Sequence, residues 1–594
     1  MSALHFPTIA NSRPSSLHAM LPRLAPARRS LALARSFSAA SSALSGAKSA
    51  SPLERSQQRV HTSPPAEADV VIIGCGSAGL LCGAQLAVKG HRVCMLDGHY
   101  VAGGCATQFV RRVKAGPLHF DVGLHYIGDC HQGGKFPEMM RSVGIDDVEF
   151  VPMDQDGYDT LRFPDFELQI PASVDLYRER LVKLFPGEKT GIDRYVRLLK
   201  EVESMQDAME QMHQGKMSKW GLAWTGLTSG RLMAQYKGAT LGEFLDSCTS
   251  NSKLRAAIAG QSGNYGIPPS EVSIMLHCGL VGHYFKGAYY PKGGGQRMSD
   301  RLAEVIEAHG GSVHLRRKVD RILVDEHGKA IGVKTAPRRG VSAEVRAKAI
   351  VGAGDLGRLY TELLPAEAVP EKTANTVRKY RNAEGLLNTC IALDIPKERL
   401  ASEFGMRASN YWCFDSYDAD GLYKSVREAE DAAGAFGCYI TSASLKDPET
   451  NHAPDGMSTV EVLTVVPQDF AKWGTTEDEL ASGRYRKNSK YLELKKATEE
   501  HMVSRLEQQF PGLSKHIAFK ESSTPLSHNR FTMGGTAYGL AATPEQFLSN
   551  RHGFRGPVGN LFVCGHSTRT GHGIVGAMMG GQRTAGYVHK HLSS

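Results

Sequence analysis

Three glycines, Gly74, Gly76 and Gly79, stand in the spacing G-x-G-x-x-G, and an acidic residue, Asp97, follows one helix and one strand later. That set is suited to holding the pyrophosphate and ribose of a dinucleotide. Gly74 makes the tight turn, Gly76 lets the backbone approach the pyrophosphate, and Gly79 lets helix and strand pack closely. Ser77 and Ala78 complete the turn, and Asp97 is placed to accept a hydrogen bond from a ribose hydroxyl. The elements that must position these residues are legible on both sides. Residues 70–73 are an apolar, largely β-branched run suited to a buried parallel strand. Residues 80–89 read as a helix whose free N–H groups and positive dipole end face the phosphates. Gly90 stops that helix, and residues 91–96 give a second strand ending at Asp97.

The composition is that of a globular protein. The chain has 594 residues, 41% hydrophobic and 22% charged, enough for two intertwined domains. The formal charge of +9 lies partly in the first sixty residues, and no basic-aromatic array points to nucleic acid. No run of 18 apolar residues occurs, so no membrane-spanning helix is expected. Eleven cysteines occur without a C-x-x-C pair, as in reduced thiols of a non-secretory compartment. No metal centre is expected.

Residues 1–65 differ from the rest. Glu54 is the first acidic residue, preceded by Arg13, Arg23, Arg28, Arg29 and Arg35 among many serines. This is the composition of a transit peptide or disordered leader, and it points to an organelle, a mitochondrial address over a plastid one.

Gly103-Gly104 follows Asp97 after a short loop and resembles the second glycine motif of FAD-binding flavoproteins of the glutathione-reductase structural class. The disulfide reductases of that class carry Cys-x4-Cys just afterwards. Here Cys105 is followed five residues on by Val110, which argues against a dithiol mechanism and leaves Cys105 as a small buried side chain. The stretch 119–128, HFDVGLHYIG, resembles retinol saturase and its bacterial relatives, within the group that holds phytoene desaturases and carotenoid isomerases. The resemblance runs from about Ala68 to Val588. It implies an α/β fold: a Rossmann-like FAD-binding domain, parallel sheet plus β-meander, with an interleaved α+β substrate domain. The corresponding boundaries are 66–150, 286–385 and 521–594 for the FAD-binding domain and 151–285 and 386–520 for the substrate domain.

The same resemblance assigns further residues. His125 and Tyr126 would face the isoalloxazine or the substrate and are the candidate catalytic pair, with His566 and His572 next; a satisfied structural histidine is the alternative reading of His125. Residues 289–295, YYPKGGG, resemble the group's Y-P-x-G-G motif ahead of a helix, for which Ser299 is the candidate cap and Leu302, Val305, Ile306 and His309 one face. Val319 would meet the adenine. Gly565 would end the strand touching the diphosphate-ribityl chain. Gly573 and Ile574 would open a helix whose N–H groups face the flavin N1 and C2 carbonyl, where reduced flavin carries negative charge. Many relatives have Asp where this chain has His566. Residues 534–539 would line a substrate tunnel.

The implied activity is an FAD-dependent oxidoreductase acting on carbon–carbon double bonds of a polyene or prenyl lipid, by reduction, desaturation or cis/trans isomerisation, with NAD(P)H as a candidate electron donor. A flavin amine oxidase and a catalytically quiet flavoprotein are the alternatives. Residues 205–236, rich in Met, Trp, Leu and Lys, read either as a peripheral membrane contact or as a helical lid packed on the core.

Overall fold

The computed structural model describes residues 52–594 except Gln214, Gly434, Ala435, Thr532 and His572. Most of the leader, and His572, lie outside the described residues. The first described element, the helix Pro52–His61, falls inside the stretch read as leader, yet it is folded onto the body of the protein. Arg59 is buried there and pairs with Asp300 (3.4 Å) and Glu307 (2.9 Å) on the helix Gly295–Ala308.

A seven-stranded sheet carries the nucleotide motif. The strands Ser312–His314, Val93–Leu96, Glu67–Ile73, Glu344–Gly352 and Leu561–Val563 run parallel in that order. The long strand Glu344–Gly352 is shared: its first half pairs antiparallel with Ala330–Thr335, which pairs in turn with Val319–Val324. This is the expected meander. Strand Glu67–Ile73 is central because Val70, Val71 and Ile72 are fully buried on both faces, as a parallel strand between two helical layers requires. Helices Ser77–Val88, Gly295–Ala308 and Gly573–Ser593 pack together beside it.

A second sheet has the order Ile517–Ser523, Gly385–Leu393, Ser458–Val466, Phe436–Thr441, Asn410–Cys413, Asp159–Arg162, Glu167–Ile170, antiparallel except between Asn410–Cys413 and Asp159–Arg162. The boundary expected at 520/521 cuts the strand Ile517–Ser523, which belongs wholly to this sheet. A hairpin, Gln108–Val113 with Gly116–Asp121, and a small sheet of Ile127–Gly128, Ala288–Pro291 and Phe150–Pro152 complete the β-structure around the site.

Two local expectations change. Ser299 is not a helix cap: the helix begins at Gly295, and Ser299 is buried in its second turn, donating to the Ala106 carbonyl at 3.2 Å. His309 lies just past the helix end, its Nδ1 2.9 Å from the Val305 carbonyl. The first follows from Gly294, at φ +80°, starting the helix a turn early. Among the described residues no helix is long and apolar enough to cross a membrane, and the eleven cysteines are free thiols.

Candidate functional site

The glycines of the first loop divide the labour. A Cβ on Gly79 would lie 2.3 Å from the Gly74 carbonyl oxygen, so the third glycine permits the helix to sit on the turn. Gly74 adopts φ +109° and packs against Ala353 and Gly354. Gly76 has ordinary dihedrals, φ −70° and ψ 170°, and a Cβ there would meet no described protein atom within 4 Å. Neither close packing nor backbone strain demands glycine at 76; open space in front of a helix N-terminus does. No side chain caps the helix Ser77–Val88 and no acid stands in its first turn, so its orphan N–H groups remain for an anion.

Asp97 braces this loop. Its carboxylate accepts from the Cys75 N–H at 2.6 Å and the His99 N–H at 2.7 Å. Gly103, at φ +131°, donates to the Cys75 carbonyl at 2.7 Å, and a Cβ on it would strike Ser299 Oγ at 2.5 Å. From the other end of the chain, a Cβ on Gly581 would lie 2.2 Å from the Ala78 carbonyl oxygen. The glycine of the last helix thus lets it cross the first closely.

One cavity of about 1280 Å³ runs from this cradle into the body of the protein. That exceeds the roughly 300–1,000 Å³ typical of a site for one drug-sized ligand. Of the residues singled out from the sequence, Gly74, Gly76, Ser77, Ala78, Asp97, Gly104, His125, Tyr126, Val319, Gly565, His566, Gly573 and Ile574 line it. Gly79 and Gly103 do not reach it and act through packing. Cys105, expected to be buried, is exposed and lines the cavity; enclosure by protein raises its thiol pKa. Beside it the turn Val122-Gly123 is likewise exposed to the cavity.

The last helix points its N-terminus, Gly573 to Gly576, at the same space, with no acid in its first turn. Together, the uncapped start of Ser77–Val88, the acid-free first turn of the last helix, the open Gly76 and a Gly573 with nothing within 4 Å of its would-be Cβ fit a large anionic dinucleotide. His566 is seated by Gly539, on which a Cβ would fall 2.2 Å from His566 Cδ2. Burial, and the Arg551 charge after it, hold its pKa down at about 4, so it is a neutral hydrogen-bonding group.

The candidate catalytic pair divides. Tyr126 is stacked on Tyr284, with ring centroids 4.2 Å apart. Its hydroxyl donates to Asp159 at 3.0 Å and accepts from Asn264 at 2.8 Å. Burial raises its pKa further. It is a committed, structural phenol. His125 is the opposite: neither ring nitrogen has a hydrogen-bond partner among the described residues, and burial, aided by Lys446, lowers its pKa to about 3.

Behind His125 stands a group that sequence reasoning missed. Asp121 ends the hairpin, Tyr290 lies in Ala288–Pro291, Lys446 closes the short helix Ala443–Lys446, and Glu461 and Asn388 sit on neighbouring strands of the second sheet. All are buried. Tyr290 donates its hydroxyl to Asp121. Glu461 accepts the Asp121 N–H at 3.2 Å and the Asn388 amide at 2.6 Å. Lys446 donates to the His125 carbonyl and to Thr441 Oγ1, both at 2.6 Å, with its ammonium 4.9 Å from the Tyr290 ring centroid. Burial raises both carboxyl pKa values and lowers that of the ammonium. The available signal was Glu461 itself, the one charge in the run STVEVLTVV.

Curated relatives agree with this architecture. All-trans-retinol 13,14-reductase of Danio rerio is 28% identical over 87% of this chain and 85% of its own length. Prolycopene isomerase 1 of an Oncidium hybrid cultivar, a chloroplast protein by its name, is 24% identical over 87% of this chain and 82% of its own. Among solved structures, cyclohexylamine oxidase from Brevibacterium oxydans IH-35A shares the fold, with a TM-score of 0.55 at 17% identity, covering 89% of this chain and 100% of that one. A flavin carried by a dinucleotide cradle is FAD. The match to the family model extends over residues 77–589, from the first glycine loop to the last helix, and the chain therefore belongs to the flavin containing amine oxidoreductase family.

Proposed function

We propose that this protein is an FAD-dependent oxidoreductase that reduces a carbon–carbon double bond of a retinoid-like polyene. The observation that carries the reading is the continuity of the cavity. It passes from the glycine cradle along Cys105, Val122 and His125 into a chamber walled by Met275, Trp412, Phe414, Tyr439 and Tyr538. Such a wall suits a long apolar chain that needs few polar contacts. Reduced FAD supplies a hydride, so the protein's own residues need only bind, orient, exclude water and deliver a proton. The retinol reductase among the relatives supports the substrate class, and NAD(P)H is the proposed source of electrons.

The reaction is read from the product. Holoenzyme reduced anaerobically with dithionite and given all-trans-retinol is expected to return a product two mass units heavier, with reoxidation of the flavin. A product two units lighter from oxidised enzyme would replace reduction by desaturation, and an unchanged mass with altered geometry would make it an isomerase. Peroxide release with primary amines and no action on polyenes would favour an amine oxidase.

The substrate's insolubility gives meaning to the helix Lys219–Ser229. Trp220 is 87% exposed, Trp224 68% and Leu227 79%, spaced on one face, with Lys216, Lys219 and Arg231 exposed around them. Every residue of that helix is at least partly exposed, which favours the membrane reading over a lid packed on the core. Apolar residues ringed by basic ones suit an anionic bilayer surface. Exchanging Trp220 and Trp224 for serine is expected to weaken flotation with anionic liposomes by about tenfold, in line with about 1.5–3 kcal/mol for a fully buried large apolar side chain; unchanged flotation would remove this contact. The leader is proposed to direct the chain to mitochondria, which a fusion of residues 1–65 to a fluorescent reporter tests.

A further inference from the structure

The buried carboxyl pair behind His125 carries one negative charge too many. Asp121 is 1% exposed and Glu461 3%, and Lys446 is the cation that faces them both. The other groups turned toward the pair are the phenols of Tyr290 and Tyr439, the Gln108 amide, the thiol of Cys390, whose Sγ lies 3.9 Å from Glu461 Oε2, and the ring of His452, which stands 3.1 Å from the Asp447 carboxylate. The phenols, the amide and the thiol are neutral at physiological pH, and His452 is paired with a carboxylate of its own, Asp447. A surplus charge in such a place is not tolerated, and a proton is the least costly way to remove it.

The hydrogen-bond pattern shows where that proton goes. Both Glu461 oxygens accept from fixed donors, the Asp121 N–H and the Asn388 amide. Close by, Asp121 Oδ1, Asn388 Oδ1 and the ring nitrogens of His125 have no hydrogen-bond partner among the described residues. An oxygen of each carboxyl and a nitrogen of His125 all lie within 4.8 Å of one another. A protonated Glu461 has the His125 imidazole within reach, and an imidazole, unlike the Asn388 amide, can pass a proton on to the cavity that it lines.

Resting on the reduction proposed above, we infer that Glu461 is the proton store of the reaction and that His125 carries its proton to the substrate. The double bond gains a hydride, two electrons and one proton, from reduced FAD, which ends oxidised. It gains its second proton from one nitrogen of His125. The other nitrogen takes the proton of Glu461, so the imidazole starts and ends neutral. Glu461 is left a carboxylate, stabilised by the Lys446 ammonium, until solvent restores its proton. His125 touches substrate; Glu461 acts through it as a positioning and supplying residue.

The test uses holoenzyme and two readouts. In infrared difference spectra at pH 7, wild type is expected to show the C=O stretch of a buried protonated carboxyl, shifted in D₂O and absent from Glu461→Gln. In single turnover with excess all-trans-retinol, E461Q is expected to keep its flavin and lose about 10²–10⁴-fold in rate. Wild-type rate should fall as pH rises through about 8, the value to which burial and then Asp121 push Glu461, and Glu461→Asp should restore part of both rate and pH dependence. E461Q turning over as fast as wild type, or keeping the carboxyl band, overturns the assignment, as does one equivalent of tightly bound metal that E461Q lacks. Should E461Q not fold, His125→Ala must show the same rate loss with the band retained. A wild type that reduces no polyene but keeps the band fails the reading of function instead, and the band still decides the protonation of Glu461.

Discussion

Replacing Gly76 with alanine is expected to give a protein that folds normally and purifies with little or no flavin. The backbone at Gly76 has dihedrals open to any residue, and the added Cβ would meet no described protein atom within 4 Å. The apoprotein should therefore melt at or slightly above the wild-type temperature, because alanine narrows the unfolded ensemble by about 0.4–1 kcal/mol. The methyl group instead enters the space in front of the helix N-terminus. Overpacking a close contact costs about 1–3 kcal/mol, so FAD should bind some tenfold to a hundredfold more weakly. Gly79→Ala is the contrast: its Cβ would stand 2.3 Å from a carbonyl oxygen, and it should destabilise the apoprotein as well. The ratio of 450 nm absorbance to protein, with thermal melts of both apoproteins, checks the pair. If G76A held stoichiometric flavin at wild-type affinity, the cradle would have been assigned to the wrong loop.

Replacing Lys446 with methionine should destabilise the fold by about 3–5 kcal/mol, the range for breaking a buried ion pair by removing one partner. The loss should depend on pH with a definite sign. Asp121 and Glu461 already sit above the ordinary carboxylate range because they are buried. A group raised in the folded state contributes stability at low pH and loses it as pH climbs from its unfolded value through its folded one. Without the ammonium both carboxyls must hold a proton to stay buried. Each extra proton so held costs about 1.4 kcal/mol per pH unit. The deficit against wild type should be smallest near pH 5 and should widen toward pH 8. Urea unfolding at those two pH values measures it. Adding Glu461→Gln to K446M should recover more than half of the loss at pH 8; a double variant no more stable than the single one would mean that Lys446 is held in place by something other than this pair.

The glycine loop was legible in the sequence because its chemistry is local: turn, open approach and helix contact fall within six consecutive positions, and each is a statement about backbone. The meander, the last helix and the strand Ser458–Val466 were legible for a related reason, since apolar runs bounded by glycines reveal buried elements. Ser299 was misread as a cap because a glycine at positive φ began the helix one turn sooner, which polar residue type alone does not reveal. Cys105 was misread as buried because a small apolar-looking residue beside paired glycines is as suited to a cavity wall as to a core.

What the sequence by itself determined was a dinucleotide cradle of the flavoprotein type, built from both ends of the chain around a parallel sheet. Those features depend on interactions between neighbours in the chain, and neighbours are what a sequence spells out. Only the tertiary structure decided that Tyr126 is tied to Asp159 while the His125 ring has no hydrogen-bond partner among the described residues, and that Asp121, Tyr290, Lys446 and Glu461 meet behind it. Those four come from separate elements far apart in the chain, and each alone looks like an ordinary surface charge or phenol. Their meaning comes from burial, since a carboxyl shut away from water must find a proton or a cation, and which of these it finds depends on what the fold has placed within a few ångströms.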